Sequence, residues 1–436
     1  MSAYYFKLGL RSLRRNPLLT ALMVITLAVG VAASVSTLTI LHMMSSDPIP
    51  QKSARLFVPL IDPDPLDNYT PGEKQDDIQI TYQDAMNILK SGLGVRRTAL
   101  YGVAGAVEPP RREIPPFNMG GLAPTRDFFA MFEVPFAYGQ PWTEADEARG
   151  ADVVVLSRQM AEKLFGDVNP VGRRLNLMGF PYTVVGVTEK WKMLPRVYLL
   201  QGGSPYSTGE EFFIPLATAV RHETQHNGGM SCSGNIGPGF AARLASDCTW
   251  ITAWIEAASA GDRSEIQSWL DIYASQQRKL GRLKRNAPNR LFDVPGWMEY
   301  TGVVGKDAKL QTWLAFGFLA LCLVNTIGLL LAKFSVRASE IGVRRALGAS
   351  RAEIFRQFLI ETVVVGLVGG VLGLLLAVGA LKLIGMSGKA MANLAQMDWQ
   401  MLGLTFVISV CAAVLAGLLP TWRACQVTPA IQLKSQ

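Results

Sequence analysis

Four long runs of apolar residues interrupt the chain, and none of them contains Asp, Glu, Lys or Arg. They occupy residues 18–43, 313–332, 362–381 and 399–422. Each run is long enough to cross about 30 Å of hydrocarbon as a helix, and a helix satisfies its own backbone hydrogen bonds in lipid. The pattern therefore predicts four membrane-spanning helices. With their polar end residues included, these helices are predicted at 18–43, 309–333, 354–385 and 399–422.

The chain between the first two spans has a different pattern, in which short β-rich runs are mixed with helical runs. The predicted strands are 55–61, 151–157, 182–187, 211–216 and 249–256. Helices are predicted at 157–166, with Ser157 as the N-cap, and at 261–285. The Pro- and Gly-rich stretches 104–124 and 200–209 are predicted to be loops or crossings between subdomains.

The predicted fold class is a membrane protein. It has four transmembrane α-helices, with a large α+β domain, residues 44–308, between helices 1 and 2. Residues 386–398 are predicted to be a short external loop between helices 3 and 4.

Two features inside the spans bear on packing. Gly366, Gly369, Gly370 and Gly373 give overlapping small-xxx-small spacings, which allow another helix to approach closely in lipid. Glycine is also simply common in membrane helices, and the sequence favours neither interpretation. Asn325 is a costly polar group at bilayer depth, so we expect it to face protein.

Positive charge is concentrated beside the spans. The chain is 49% hydrophobic and 17% charged, with a formal net charge of +8. Residues 44–308 nevertheless hold 27 Lys and Arg residues against 30 Asp and Glu residues. The basic excess lies near the spans, at 1–17 and 333–356, and the positive-inside rule makes these segments cytoplasmic. Residues 44–308 are then periplasmic and the tail 423–436 is cytoplasmic. Nucleic-acid binding is disfavoured.

The N-terminal residues 1–17 are predicted to form an amphipathic helix on the cytoplasmic membrane surface. The alternative is a basic flank with no fixed structure. We expect the first span to be a retained anchor, because its apolar run exceeds the roughly 7–15 residues of a signal peptide.

Cys232 and Cys248 are the two cysteines of the domain 44–308. In an oxidising compartment, such a pair is a plausible disulfide.

Residues 222–226, His222-Glu223-Thr224-Gln225-His226, match the H-E-x-x-H pattern of zinc peptidases. Cys232 lies where a third ligand could fall, so His222, His226 and Cys232 are a weak metal candidate. A zincin needs this motif on a helix, but Gly228 and Gly229 follow at once. A surface loop with no metal is favoured over incidental metal binding and over a peptidase.

The segment 335–362 predicts a helix, a break and a second helix. Gly348 suits the position that ends the first helix, roughly 336–347. Ser350 and Glu353 form the S-x-x-E capping box that begins the second. The first helix is basic and too polar for the membrane. It is either a docking surface for a cytosolic partner or a charged loop resting on headgroups.

Three separated stretches carry a family resemblance. They are "EIGVRRALGASRAEIFRQFLIE" (340–361), "VVVLSRQMAEKLFGDVNPVGRRLNLMGFPYTVVGV" (153–187) and "LGLRSLRRNPLLTALMVITLAVGVAAS" (8–34). Together with the four-span layout, they resemble the FtsX-like permease superfamily, whose best-known branch is the MacB-type macrolide exporters.

The resemblance implies a permease subunit of an ATP-binding-cassette (ABC) system in the bacterial inner membrane, not itself an enzyme. It implies pairing with a second copy or a paralogue, and motion of the outer domains driven by ATP hydrolysis (mechanotransmission). The segment 334–353 is then the coupling helix that contacts the ATPase. Its expected contact residues are Glu340, Ile341, Arg344, Arg345, Leu347 and Gly348, with Glu340 and Arg344 forming an i,i+4 pair.

The chain departs from MacB-type exporters in two places. The phosphate-binding loop G-x-x-x-x-G-K-[ST] does not occur in the sequence. We therefore expect no cofactor in this chain, with ATP and Mg bound by a separate ATPase dimer. The C-terminal stretch "RACQVTPAIQLKSQ" is a degraded form of the family's usual ending, which puts its contacts in doubt.

Three functions follow as alternatives. The first is export or extraction of a drug, peptide or lipoprotein, for which a membrane-fusion adaptor and an outer-membrane channel are candidate partners. The second is activation of a periplasmic cell-wall hydrolase without transport. The third is a membrane-anchored metallopeptidase.

Overall fold

The structure is a computed structural model that describes residues 17–67, 69–75, 77–201, 204–234, 236–337, 343–344, 347–397 and 399–425. It divides into two compact units. The membrane unit comprises Met1–Ser45 and Val304–Gln436, and the inserted domain is Ser46–Val303. The predicted surface helix at 1–17 lies outside the described residues except for Pro17, and the predicted tail 423–436 lies outside them beyond Cys425.

Thirteen α-helices lie in the described ranges. They are α1 Pro17–Ser45, α2 Tyr82–Lys90, α3 Asp127–Met131, α4 Glu144–Arg149, α5 Arg158–Phe165, α6 Leu216–Arg221, α7 Phe240–Ala245, α8 Arg263–Lys279, α9 Val294–Thr301, α10 Lys306–Val336, α11 Arg351–Gly385, α12 Lys389–Leu394 and α13 Trp399–Cys425. The strands are β1 Leu56–Leu60, β2 Ile80–Thr81, β3 Arg96–Glu108, β4 Phe117–Pro124, β5 Phe136–Gly139, β6 Val153–Leu156, β7 Arg174–Leu177, β8 Phe180–Thr188, β9 Phe212–Phe213, β10 Thr249–Glu256 and β11 Arg290–Phe292.

Four helices of the membrane unit, α1, α10, α11 and α13, are long and apolar enough to cross a membrane. Helix α10 continues to Val336, past the predicted end at 333, and α11 begins at Arg351, before the predicted start at 354. The short helix α12 lies inside the stretch 386–398 that we predicted to be only a loop.

Small residues bring the first spanning helix close to its neighbours. A Cβ atom built at Gly30 of α1 would come within 2.9 Å of the Cys322 Cβ on α10. On α11, a Cβ at Gly373 would come within 3.0 Å of the Ala28 carbonyl oxygen of α1. Lipid tails supply no hydrophobic drive for helix association, so van der Waals contact at such positions holds the bundle together. The glycines of the third span therefore serve as packing surfaces.

Asn325 does not face protein within this chain. Its side chain lies exposed on α10, whereas Cys322 and Thr326 on the same helix are buried. The expectation that Asn325 faces protein therefore fails for the described residues of the single chain.

The inserted domain is built on a mixed sheet of eleven strands. Their order is β11-β1-β10-β3-β4-β9-β6-β8-β5, with β2 paired to β10 and β7 paired to β3 and β8. Most pairings are antiparallel, but β4 with β9 and β6 with β8 are parallel. Short helices pack on this sheet, and buried Trp142, Trp250, Trp254 and Trp297 fill the interior. The domain is thus of mixed α and β structure, as the sequence predicts.

Two predictions for the inserted domain are wrong. The stretch 104–124, predicted to be a loop or a crossing between subdomains, supplies the end of β3 and all of β4, which pair from Leu100 with Pro124 to Val107 with Phe117. The helix predicted at 261–285 ends at Lys279. Its basic end instead forms ion pairs: Arg282 with Asp84, and Arg285 with Asp62 and Asp64.

We predict that Gly373→Val destabilises the membrane unit, by about 1–3 kcal/mol as is usual for overpacking. The new side chain would press on Ala28 and Val31 of α1. Gly379→Val is the matched control, since a Cβ at Gly379 on the same helix meets no atom within 4 Å. Unfolding midpoints in detergent check the prediction. Equal midpoints for the two variants would contradict the packing role of Gly373.

Candidate coupling site

The second spanning helix leads directly into the segment predicted to couple to an ATPase. Helix α10 runs without a break through Val336, and Arg337 is its C-cap. Of the predicted contact residues, Arg344, Leu347 and Gly348 are described. Glu340, Ile341 and Arg345 lie outside the described residues, and with them the Glu340 partner expected for Arg344.

A rigid junction ends this segment. Gly348 has a φ of +100°, the left-handed conformation that suits glycine at the end of a helix. The Ala349 backbone N–H donates to the Arg344 carbonyl oxygen at 3.0 Å, which is the 6→1 bond of a Schellman motif. Only Ala349 separates Gly348 from the N-cap of α11, Ser350.

The N-terminus of α11 carries the capping box that the sequence predicts. The Ser350 N–H donates to the Glu353 carboxylate at 2.9 Å, and the Glu353 N–H donates to the Ser350 hydroxyl oxygen at 3.2 Å. Arg344 Nη1 also donates to Gln357 Oε1 on the next turn of α11, at 3.0 Å. The end of the segment is therefore tied to α11 by both backbone and side-chain hydrogen bonds.

The segment exposes apolar side chains. Val343 is 56% exposed and Leu347 is 82% exposed. Residues four apart lie on the same face of a helix, and the Leu347 N–H donates to the Val343 carbonyl oxygen. The two side chains, with Arg344 beside them, thus form a small apolar and basic surface.

A buried ion cluster lies next to this junction, between α10 and α11. Lys333 Nζ is 2.5 Å from Glu361 Oε1, and Arg337 Nη1 is 3.3 Å from Glu361 Oε2. The side chains of Lys333, Glu361 and Arg337 are 0%, 2% and 12% exposed. This cluster was not predicted from the sequence. Its signal is that Lys333 and Glu361 directly flank the charge-free runs 313–332 and 362–381.

The H-E-x-x-H residues are not arranged as in a zinc peptidase. His222 is the C-cap of α6, so the helix ends where the motif begins, and Glu223 has a φ of +50°. His222 Nε2 donates to Asp152 Oδ1 at 2.6 Å, and its ring stacks on Phe180 at 3.6 Å between centroids.

The second histidine has different neighbours. Arg243 Nη1 donates to His226 Nδ1 at 3.3 Å. Burial, and then the nearby Arg243 guanidinium, lower the pKa of His226. Across the described ranges, three or more His, Cys, Asp or Glu side chains nowhere converge into a group that could hold a metal ion.

The third member of the weak metal candidate is used elsewhere. In the structure, a disulfide joins Cys232 to Cys248, so the Cys232 thiolate is not available as a ligand. Mass mapping of the non-reduced protein would test the pairing directly.

The fold and these sites define a class of protein: a four-helix membrane protein with a mixed α/β domain inserted after the first helix. Family comparison agrees with this class. Residues 20–271 match the MacB-like periplasmic core domain, and residues 313–429 match the FtsX-like permease C-terminal domain. The chain belongs to the FtsX-like, MacB-type permease family.

Individual relatives are distant. Macrolide export ATP-binding/permease protein MacB of Rhodospirillum rubrum is 27% identical over 99% of this chain and 60% of its own length. Pyoverdine export ATP-binding/permease protein PvdT of Pseudomonas aeruginosa is 27% identical over 71% of this chain and 41% of its own. The uncharacterized ABC transporter permease YknZ of Bacillus subtilis is 24% identical over 67% and 64%. The chain thus spans about half the length of such relatives.

Among solved structures, the periplasmic region of MacB from Actinobacillus actinomycetemcomitans overlaps 56% of this chain and 92% of its own. Its TM-score is 0.35 at 12% identity.

We predict that Glu223→Gln leaves both activity and stability unchanged. A peptidase of this type needs that carboxylate as its general base, whereas here the Glu223 side chain is exposed. The measurement is the activity of the complex in membranes, with zinc content determined by mass spectrometry. Stoichiometric zinc together with loss of activity in Glu223→Gln would revive the peptidase hypothesis.

Proposed function

We propose that this chain is the transmembrane permease subunit of an ABC transporter in the bacterial inner membrane. An ABC ATPase on the cytoplasmic side binds ATP and Mg²⁺, and the permease transmits the resulting motion to its inserted domain on the periplasmic side. The family membership and the four apolar helices support this proposal. The permease itself performs no catalytic step.

The observation that carries the proposal is the exposed, rigidly mounted surface of Val343, Arg344 and Leu347. Contiguous exposed apolar surface marks interaction sites, and we take the adjacent side chains of Val343 and Leu347 as part of such a surface. A segment that only rested on headgroups would not need the Schellman bond at Gly348 or the capping box at Ser350. Those devices fix the direction of the segment relative to α11, which force transmission requires.

A second permease chain, identical or a paralogue, completes the proposed assembly. Asn325 lies exposed on α10 at bilayer depth, where a polar side chain is costly. A second chain packed against this face of α10 would give the Asn325 amide a protein partner. The exposed position of Asn325 therefore supports pairing within the membrane.

Export of a substrate is the more strongly supported outcome of the motion. MacB and PvdT, which are similar to this chain, are named as macrolide and pyoverdine export proteins. We extend to this chain only the class of activity, export or extraction from the periplasmic side, with an adaptor and an outer-membrane channel as candidate partners.

We predict that Leu347→Glu abolishes ATPase binding while the permease still inserts. The change places a charge on the apolar contact surface, so we expect at least a tenfold loss of the ABC ATPase that co-purifies from native membranes. The ATPase is identified by mass spectrometry through its phosphate-binding-loop peptide. Leu280→Glu is the matched control, because Leu280 is 77% exposed and belongs to the other compact unit, the inserted domain. Undiminished ATPase in Leu347→Glu would contradict the proposed docking surface.

A further inference from the structure

The ion cluster of Lys333, Arg337 and Glu361 joins the two helices that carry the coupling segment. Lys333 and Arg337 lie one turn apart at the end of α10, where the coupling segment begins. Glu361 lies on α11, after it. Lys333 Nζ lies 2.5 Å from Glu361 Oε1 as an ion pair, and Arg337 Nη1 donates a hydrogen bond to Glu361 Oε2 at 3.3 Å. The cluster therefore closes the loop of chain that contains the coupling segment.

The position of Glu361 along α11 is informative. It lies eleven residues beyond the N-cap Ser350, about 16 Å along the helix axis at 1.5 Å per residue. The contact thus ties α10 to the body of α11 and not merely to its first turn. Phe334 and Phe358 pack beside it, with ring centroids 4.5 Å apart, and both belong to a buried apolar cluster with Met23 and Leu330.

Stability alone is a poor explanation for this arrangement. Burying ions loses hydration, and well-packed apolar residues of similar size are often as stable or more stable. Arrangements of the helices that separate the partners are disfavoured, because each would leave a buried charge uncompensated. Within a packed apolar surface, such a contact resists sliding and separation of the two helices.

We propose that Glu361 is a positioning residue that clamps the ends of α10 and α11 together, so that displacement of the coupling segment moves both helices as one body. This inference rests on the proposed function, because the clamp has a role only if an ATPase displaces the coupling segment. Without the clamp, the segment still binds the ATPase, but its movement separates the two helix ends and is not carried along the bundle.

The test uses two pairs of spin labels in the full-length permease, with Cys322, Cys411 and Cys425 replaced by alanine. The near pair is on exposed Ser335 and Arg356, one on each helix beside the clamp. The far pair is on exposed Ser45 and Met386, at the other ends of α1 and α11. Distances are measured by double electron–electron resonance, first for the permease alone and then for its ATPase complex with ATP, Mg²⁺ and vanadate.

With the native residues in the clamp, we expect a narrow distribution of distances between the near-pair labels, and nucleotide should not change it. The distance between the far-pair labels should shift when nucleotide is added. In Glu361→Gln, we expect the near-pair distribution to broaden at least twofold and the far-pair shift to disappear. ATPase binding should stay within twofold of the unaltered protein. Lys382→Gln is the control for loss of one charge, since Lys382 is exposed on α11, and should behave as the unaltered protein does.

Exchanging the charges of Lys333 and Glu361 distinguishes a positioning role of Glu361 from simple loss of folding. Lys333→Glu combined with Glu361→Lys restores an ion pair, and the new carboxylate at 333 lies one turn from Arg337. We expect the double variant to recover the narrow near-pair distribution and at least half of the far-pair shift. Recovery would show that the charge contact, and not the native residue at 361, sets the geometry, even if Glu361→Gln alone folds poorly.

The result that overturns the clamp is a near-pair distribution in Glu361→Gln as narrow as that of the unaltered protein. A broad distribution that charge exchange fails to restore would also overturn it. Both measurements use the permease alone. A result that overturns the clamp can therefore be told apart from a failure of the proposed function. That failure would appear as no binding of an ATPase by the unaltered protein.

Discussion

Hydrocarbon offers no hydrogen-bonding partner to a polar group, and the membrane unit is organised around that constraint. The backbone is satisfied within four helices. Several hydroxyl groups in the spans bond to carbonyl oxygens of protein: Thr326 to Cys322 on its own helix at 2.8 Å, and Ser34 of α1 to Ala315 of α10 at 2.9 Å. Within the described part of the chain, the buried hydroxyl groups of Thr20, Ser36 and Thr421 lack such a bond. The buried charges of the described spans follow the same logic, since Lys333 and Glu361 contact each other.

The same constraint separates two kinds of contact between helices. Apolar side chains gain little from leaving lipid, so close approach at Gly30 and Gly373 supplies the dispersion contact that holds α1 against its neighbours. Polar contacts fix the relative orientation of the helices, because a buried charge has few acceptable positions. The bundle is thus held by small residues along its length and oriented by the ion cluster beside the coupling segment. Such an arrangement is suited to move the ends of α10 and α11 together.

Local sequence patterns predicted local structure well. The capping box of Ser350 and Glu353, the break at Gly348 and the helix capped by Ser157 all depend on residues within a few positions of one another. The four spans were predicted equally well, because their length and their lack of charged residues are enough to identify them. The hairpin at 104–124 was missed for a tertiary reason. A Cβ at Gly121 would come within 2.6 Å of Phe212, so the glycine makes room for a neighbouring strand and does not mark a loop.

The ion cluster was missed because Arg337 and Glu361 are 24 positions apart, and only the tertiary fold, in which α10 and α11 both pack against α1, brings them together. The most direct test of the central claim is photo-crosslinking from position 343 in native membranes, with a benzophenone amino acid replacing Val343. The account predicts a crosslink to an ABC ATPase, and none to that protein from position 280 of the inserted domain. Adducts from position 343 with lipid alone would contradict the claim that this segment couples the permease to an ATPase.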